Sequence, residues 1–163
     1  MADCLLAKTL GVVTTRTQAN RILELQWSAP PFNSFKLNID GCLLGNPGCS
    51  RAREIIRATN GTSLFAYAFY EGVGTNFMAE FAALFHGLKC AIAKEIKNLI
   101  IECDSPAVVI CVQKEAIPWC FQQMWWHCKG YLDKISWSIV HCYCQSQYSG
   151  RQIRKTCNSN TKF

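Results

Sequence analysis

Three acidic residues occupy positions from which they could act together in catalysis. Asp40 ends an alternating segment, Glu80 lies in the first turns of an amphipathic segment, and Asp104 follows a short apolar run. Carboxylates that meet at one site repel one another and raise each other's pKa unless a cation is bound between them. Mg²⁺ takes oxygen ligands and is commonly held by a few carboxylates together with substrate phosphates. The three acids therefore predict metal-assisted phosphoryl chemistry, in which two ions about 4 Å apart activate water and stabilise a leaving oxygen.

The segment that carries Asp40 predicts the start of an antiparallel sheet. Residues 35–40 alternate between apolar and polar side chains, which is typical of a strand with one buried face. Residues 53–58 and 63–70 are two further strand candidates, and the Asn-Gly pair between them is a strong hairpin signal. A three-stranded antiparallel meander is therefore expected.

The segment that carries Glu80 has the period of a helix. Residues 75–93 place large apolar side chains on one stripe and small residues on a second, flat stripe. The flat stripe would let the helix lie close to a sheet, and Thr75 or Asn76 can cap its start. The small residues of the stripe are Ala79, Ala83 and Gly87.

The remaining segments complete the order β-β-β-α-β-α-α-β-α. This order predicts a mixed five-stranded sheet with helices on both faces, in which three antiparallel strands come first and α/β crossovers follow. The first and fourth strands are expected to be parallel neighbours, so that Asp40 and Asp104 meet at their carboxyl ends. The later elements are a strand over 98–104, helices within 106–114 and 118–135, a strand over 136–144 and a weak helix from Gln147.

Length and composition indicate one globular domain with an anionic partner. The chain has 163 residues, half of them apolar, and a net charge of +6, which favours nucleic acid over a membrane. Trp27 and the paired prolines that follow it mark a break, so we expect an extension or linker over 1–26, a domain over 27–156 and a tail over 157–163. Neither a membrane span nor a secretory signal is evident, which predicts an intracellular protein of the nucleus or cytoplasm.

Three sequence blocks carry a resemblance to a known family. D-G-x-x-x-G-N-P-G covers residues 40–48, T-N-x-x-A-E-x-x-A-L covers 75–84, and E-x-D-S covers 102–105. Together, in this order, they resemble the ribonuclease H type 1 domain. The similarity is greatest to the plant version, found alone or at the end of non-LTR retrotransposon reverse transcriptases, and extends over residues 27 to about 156.

The resemblance implies an endonuclease that uses Mg²⁺, or Mn²⁺ in its place, to hydrolyse the RNA strand of RNA/DNA hybrids. Asp40, Glu80 and Asp104 would be the metal ligands. His141, in a loop after the last strand, would assist product release or proton transfer. No small-molecule cofactor is implied, and the protein would be a monomer or part of a larger reverse-transcriptase polyprotein. The positions that match contacts to the sugar–phosphate backbone and minor groove of the hybrid are Gly41, Asn46, Thr75 and Asn76.

Departures from the family pattern leave alternatives open. Arg151 stands where the family has a fourth carboxylate, and a guanidinium there would repel a metal ion. The chain could therefore be a catalytically impaired, retrotransposon-derived relic that only binds nucleic acid. Arg53 and Glu54 also replace a glycine pair that forms a turn into the second strand of family members.

Two further functions are weighed against these readings. A zinc site formed by His141, Cys142 and Cys144 lacks an evident second pair of ligands. A different nuclease on the same fold, an exonuclease or integrase, is disfavoured by the D-G and T-N blocks.

Overall fold

The fold is a five-stranded mixed sheet with three α-helices in the part of the chain that the structure describes. This computed structural model describes residues 27–45 and 47–143. Its elements are β1 (Phe35–Gly45), β2 (Gly48–Arg57), β3 (Ser63–Gly74), α1 (Asn76–Ala93), β4 (Asn98–Cys103), α2 (Pro106–Gln113), a 3₁₀ turn (Trp119–Phe121), α3 (Gln122–Leu132) and β5 (Ser136–His141).

The strand order places the two acid-bearing strands side by side in the middle of the sheet. The order is β3-β2-β1-β4-β5, with β1–β2 and β2–β3 antiparallel and β1–β4 and β4–β5 parallel. The predicted meander and the parallel pairing of the first and fourth strands are confirmed. Because β1 and β4 are parallel, their carboxyl-terminal halves lie at the same edge of the sheet.

The second strand begins five residues earlier than predicted. Instead of starting at Arg53 after a turn, β2 starts at Gly48, and Gly45 and Gly48 face each other across a two-residue connection. Gly45 has φ +87°, a conformation that a connection this short requires and that glycine adopts readily. The early start puts Arg53 in the middle of a regular ladder, directly opposite Asp40.

Helix α1 lies very close to β1, as the stripe of small residues predicts. A Cβ atom added at Gly87 would be 2.8 Å from the Leu37 Cδ1 atom, so no larger residue fits there without repacking. Thr75 caps the helix by accepting a hydrogen bond from the Met78 amide at 3.3 Å. The same arrangement recurs at α2, where Ser105 is the N-cap and Pro106 the first helical residue.

One face of the sheet carries the hydrophobic core. Alternate residues of the central strands, such as Leu37 and Ile101, join the buried side chains of all three helices in a single cluster. The opposite face of β1 is polar although it is buried. Its Lys36 is paired there with Glu102, with 2.6 Å between the Nζ and Oε1 atoms. The weak helix predicted from Gln147 lies outside the described residues.

The last strand is shorter than predicted. β5 ends at His141, so this residue is the final strand residue and not part of a following loop. The parallel register with β4 explains the difference, because His141 is paired with Cys103. Within the described parts of the chain, no helix is both long and apolar enough to span a membrane.

Candidate active site

Glu80 and Asp104 meet where β4 ends beside the first turns of α1. Asp104 directly follows β4, and Glu80 is the fifth residue of α1. Their carboxylate oxygens and the Cys103 sulfur lie within 4.8 Å of one another. The predicted meeting of a helix acid and a strand-end acid is therefore observed in the geometry.

Glu80 is a buried acid whose charge is disfavoured by its surroundings. Its residue surface is 1% exposed, and its pKa is raised to about 9. Burial is the largest cause, followed by the negative charge of Asp104, while a hydrogen bond from the Gly41 backbone acts in the opposite direction. The charge of Asp40 also raises this pKa, although Asp40 does not belong to the group of ligand atoms within 4.8 Å that Glu80, Cys103 and Asp104 form.

Gly41 allows Glu80 to reach this site. A Cβ atom at position 41 would lie 2.6 Å from the Glu80 backbone nitrogen and 2.8 Å from the carbonyl carbon of Ala79. Only a glycine therefore lets β1 pass so close to α1 without a shift of backbone. Gly41 is buried, and its contact with nucleic acid remains a prediction.

Asp40 is held by an arginine from the neighbouring strand. The Arg53 Nη2 atom lies 2.6 Å from the Asp40 Oδ2 atom, and the two side chains are 23% and 5% exposed. The antiparallel register between β1 and β2 creates this ion pair, because it sets the two residues directly opposite each other. A guanidinium thus supplies positive charge to one of the three carboxylates from within the protein.

The ion pair between Arg53 and Asp40 was missed at the level of sequence, although a signal for it existed. A two-residue connection between Gly45 and Gly48 fixes the register of the whole hairpin. Counting five residues back from Gly45 and five residues forward from Gly48 pairs position 40 with position 53.

Cys103 is a second residue of the site that the sequence did not single out. It is fully buried, and its sulfur lies 3.9 Å from the Glu80 Oε2 atom and 3.7 Å from the Ser105 carbonyl oxygen. Burial and the nearby Glu80 raise the pKa of the Cys103 thiol far above its usual range. The side chain is therefore a protonated thiol that can donate weak hydrogen bonds to both oxygens.

His141 lies next to the acids without touching their carboxylates. Its Nε2 atom donates a hydrogen bond to the backbone oxygen of Asp104 at 3.2 Å, since a carbonyl can only accept. The ring also packs edge-on against Tyr143, with 5.3 Å between ring centroids. His141 is otherwise exposed to solvent.

The remaining predicted residues are placed as follows. Thr75 and Asn76 are exposed at the start of α1, one helical turn before Glu80. Their backbone amides lie at the positive end of the helix dipole, and no acidic residue occupies the first turn. Asn46 and Arg151 lie outside the described residues, as does Cys144 of the zinc alternative.

The donor set fits a hard divalent cation. Carboxylate oxygens are the ligands Mg²⁺ prefers, and a cation between Glu80 and Asp104 would offset the burial and the repulsion that raise the pKa of Glu80. The Cys103 thiol does not suit Mg²⁺, and its raised pKa keeps it in the neutral form. The Asp40 Oδ2 atom is in contact with Arg53, whose positive charge competes with a metal ion at this carboxylate.

Comparison with known proteins agrees with the fold. An Arabidopsis thaliana protein named as a ribonuclease H protein is 29% identical over 138 residues, which cover 82% of this chain and 22% of that protein. The chain therefore spans about a fifth of the length of this relative.

Two solved structures are similar in fold. Ribonuclease H1 of the halophilic archaeon Halobacterium salinarum has a TM-score of 0.59 at 21% identity, with coverage of 69% of this chain and 88% of that one. LC11 ribonuclease H1, solved in complex with an RNA/DNA hybrid, has a TM-score of 0.59 at 19% identity, with coverage of 69% and 87%.

A protein family described as reverse transcriptase-like matches residues 38–146, which is more than half of the chain. That interval includes the three acids, Gly41 and His141. The chain therefore belongs to the reverse transcriptase-like family of ribonuclease H-type domains.

Proposed function

We propose that this chain is a metal-dependent endonuclease that hydrolyses the RNA strand of RNA/DNA hybrids. The observation that supports it most is the convergence of Glu80 and Asp104, whose ligand atoms lie within 4.8 Å of each other where β4 ends beside α1. Asp40, in the middle of the neighbouring strand β1, adds a third negative charge that acts on Glu80. Acids that disfavour one another's charge in a partly buried site are a poor arrangement for stability alone.

The chain's own residues would divide the work as follows. Glu80 and Asp104 would hold one Mg²⁺ ion, and Asp40 would contribute to a second position once its contact with Arg53 opens. Bound divalent cations supply Lewis acidity and charge neutralisation at a phosphodiester. The Asp104 carbonyl holds the His141 ring beside the site, where the ring could accept or release a proton near the leaving oxygen.

The substrate would approach along the exposed start of α1. Thr75 and Asn76 offer neutral donors and acceptors there, and the amides of the first turn attract a phosphate group. A duplex with a wide, shallow minor groove exposes its 2′-hydroxyls to such groups without any readout of sequence. A relative in fold is solved in complex with an RNA/DNA hybrid, which supports this class of substrate.

The proposal is tested by cleavage of an end-labelled RNA annealed to DNA, with Mg²⁺ and with a chelator. We expect metal-dependent cutting that Glu80→Gln abolishes and that Glu95→Gln leaves unchanged. Glu95 is a matched control because it is an exposed acid just beyond the end of α1. Cutting by Glu80→Gln at the wild-type rate would contradict the assignment.

A second function has one specific observation in its favour. The ion pair between Arg53 and Asp40 places a cation on one of the three carboxylates, and this would weaken the binding of a metal there. The chain would then bind hybrids without cutting them. The sequence raises the same alternative through Arg151, which stands where the family has a fourth carboxylate. Hybrid binding by the wild type together with cleavage by Arg53→Ala would favour this alternative.

The wider context of the domain is part of the proposal. Because the chain spans 22% of its Arabidopsis relative, the same domain could serve as one part of a larger reverse-transcriptase protein. The domain limits of 27–156 and an intracellular location in the nucleus or cytoplasm also remain proposals.

A further inference from the structure

A second group of metal-ligating side chains lies on the core side of the sheet, away from the three acids. His86 and Cys90 are four residues apart on α1, so they share one face of the helix, and Glu54 projects toward them from β2. One ligand atom from each residue lies within 4.8 Å of the other two. Carboxylate, imidazole and thiol converge here from two different elements.

Glu54 is the most informative member of the group. Its side chain is 0% exposed, and neither carboxylate oxygen has a hydrogen bond of good geometry to any residue in the described ranges. The His86 Nδ1 atom lies 2.5 Å from one oxygen, which is an ion pair when the ring is protonated. Buried acids are normally paired or bound to a metal, so an ion shared between Glu54 and His86 would satisfy a carboxylate that has no hydrogen bond of good geometry.

The distances are close to those of a coordination shell. Ligand bonds of about 2.0 to 2.3 Å in a tetrahedral arrangement put nitrogen and oxygen ligands about 3.3 Å apart, and nitrogen and sulfur about 3.5 Å apart. The observed separation of the Cys90 sulfur and His86 Nδ1 is 3.8 Å. The contact between His86 and Glu54 would have to widen by less than an ångström, on the order of one side-chain adjustment.

Aromatic side chains hold the imidazole in place. The rings of Phe65, Tyr67 and Phe69 on β3 lie 6.5, 5.2 and 4.7 Å from the His86 ring, measured between centroids. They cover one side of the group with apolar surface and limit the rotation of the ring. A fixed ligand in an apolar shell binds a metal more tightly than a mobile one in water.

We propose that Glu54, His86 and Cys90 form a binding site for a divalent ion of the zinc class, separate from the site of the three acids. Imidazole and thiolate are ligands that zinc accepts and that Mg²⁺ does not prefer. The His86 side chain is 34% exposed, which leaves room for a water or another ligand at the fourth position.

Burial shifts the pKa of all three groups. It raises the pKa of Glu54 to about 8 and also raises that of Cys90, and it lowers the pKa of His86. The charged neighbours that act on these groups are Lys89 and Lys94 beside the helix residues and Glu71 on β3.

The ion would join β2 to α1 through the hydrophobic core. An ion that binds the folded chain and not the unfolded one raises stability by mass action, so the melting temperature is expected to rise with added Zn²⁺. The fold already packs these elements without the ion, so the site would reinforce the structure rather than create it.

The test is a Co²⁺ titration of the full chain, followed by absorbance. We expect a thiolate-to-cobalt charge-transfer band and visible bands of a tetrahedral site that saturate at one equivalent, are not displaced by excess Mg²⁺, and are displaced by Zn²⁺. Cys90→Ser and His86→Ala should each weaken binding by at least about tenfold. Glu54→Gln keeps the size of the side chain and should also weaken Co²⁺ binding by at least about tenfold.

Two cysteine variants control for the other thiols. Cys103→Ser changes the thiol beside the three acids, and Cys111→Ser changes a half-buried thiol on α2. Both should leave the cobalt bands intact, and circular dichroism without metal should show each variant folded. The absence of a charge-transfer band in the wild type, or an unchanged band in folded Cys90→Ser, would overturn the proposal.

Discussion

Replacing Arg53 with alanine is expected to raise the affinity of the active site for divalent cations. The guanidinium lies 2.6 Å from the Asp40 carboxylate, in a place where only 23% of the arginine side chain and 5% of the aspartate side chain are exposed. A metal ion that uses Asp40 as a ligand must break this contact and must also bear the repulsion of the arginine charge. Alanine removes both obstacles and keeps the strand.

The size of the effect follows from the geometry. Two unit charges about 4 Å apart interact by roughly 4 kcal/mol at an effective dielectric constant of 20. Part of that energy is offset by the desolvation of the pair. We therefore expect the arginine to weaken the binding of a cation at Asp40 by about 1 to 2 kcal/mol. Because 1.4 kcal/mol is a factor of ten, Arg53→Ala should bind Mg²⁺ or Mn²⁺ about 5 to 30 times more tightly.

Isothermal titration of Mg²⁺ or Mn²⁺ into the protein without nucleic acid measures this affinity directly. Arg51→Ala is the matched control, because Arg51 lies on the same strand two residues earlier, is exposed, and faces Cys42 instead of Asp40. Equal affinities for the wild type and Arg53→Ala would refute the reasoning. An equal gain in Arg51→Ala would show that the effect comes from overall charge and not from the ion pair.

Three further predictions concern the packing and protonation of the same site. Gly41→Ala should lower the free energy of unfolding in urea by about 1 to 3 kcal/mol, because its Cβ atom would lie 2.6 Å from a backbone atom of α1. Gly87→Ala should cost less, because the atoms nearest its Cβ atom would be side-chain atoms of Leu37. The pKa of Glu80 is raised from 4.5 to about 9, so between these values the folded protein holds a proton that the unfolded chain has released. As the pH rises through this range, the free energy of unfolding should fall by up to about 1.4 kcal/mol per pH unit because of this group. Glu80→Gln should remove this contribution to the slope when unfolding is measured without metal. An identical slope in the variant would show that the Glu80 carboxyl is not buried in this way. His141→Ala should lower the turnover of hybrid cleavage by about tenfold or more and leave metal affinity unchanged, since His141 contacts Asp104 through its backbone oxygen. A loss of metal binding would assign His141 a different role.

Local patterns in the sequence were sufficient for most of the architecture. Alternation over residues 35–40 and helical spacing over 75–93 predict β1 and α1, because one face of each element is apolar. β1 nevertheless continues to Gly45, and its polar face is buried as well, which alternation does not reveal. The capping roles of Thr75 and Ser105 were also predictable, since a cap depends on neighbours two or three residues away. The parallel pairing of the first and fourth strands was predicted correctly, whereas the meeting of Asp40 and Asp104 at the strand ends stays a prediction, since Asp40 lies in the middle of β1.

The contacts that were not predicted depend on register or on distant parts of the chain. The start of β2 was predicted at Arg53 from the apolar residues that follow it, whereas β2 begins at Gly48 and pairs with β1 from Gly45 onward. That difference of five residues decides whether Arg53 is the first residue of the strand or faces Asp40 in the middle of the ladder. The approach of Glu54 to α1 depends on how the helix lies across the sheet, which no local pattern specifies.

The central claim is that Asp40, Glu80 and Asp104 form one metal-dependent centre for cleavage of RNA in hybrids, restrained by Arg53. Its most direct test is single-turnover cleavage in Mg²⁺ by two proteins, Arg53→Ala and the double variant that also carries Asp104→Asn. Each protein is given labelled RNA/DNA hybrid and, separately, double-stranded DNA. The account predicts that Arg53→Ala cuts the RNA strand of the hybrid at least as fast as the wild type, leaves DNA intact, and loses all cutting when Asp104 is also changed. Cleavage that survives Asp104→Asn, or no cleavage of the hybrid by folded Arg53→Ala, would contradict it.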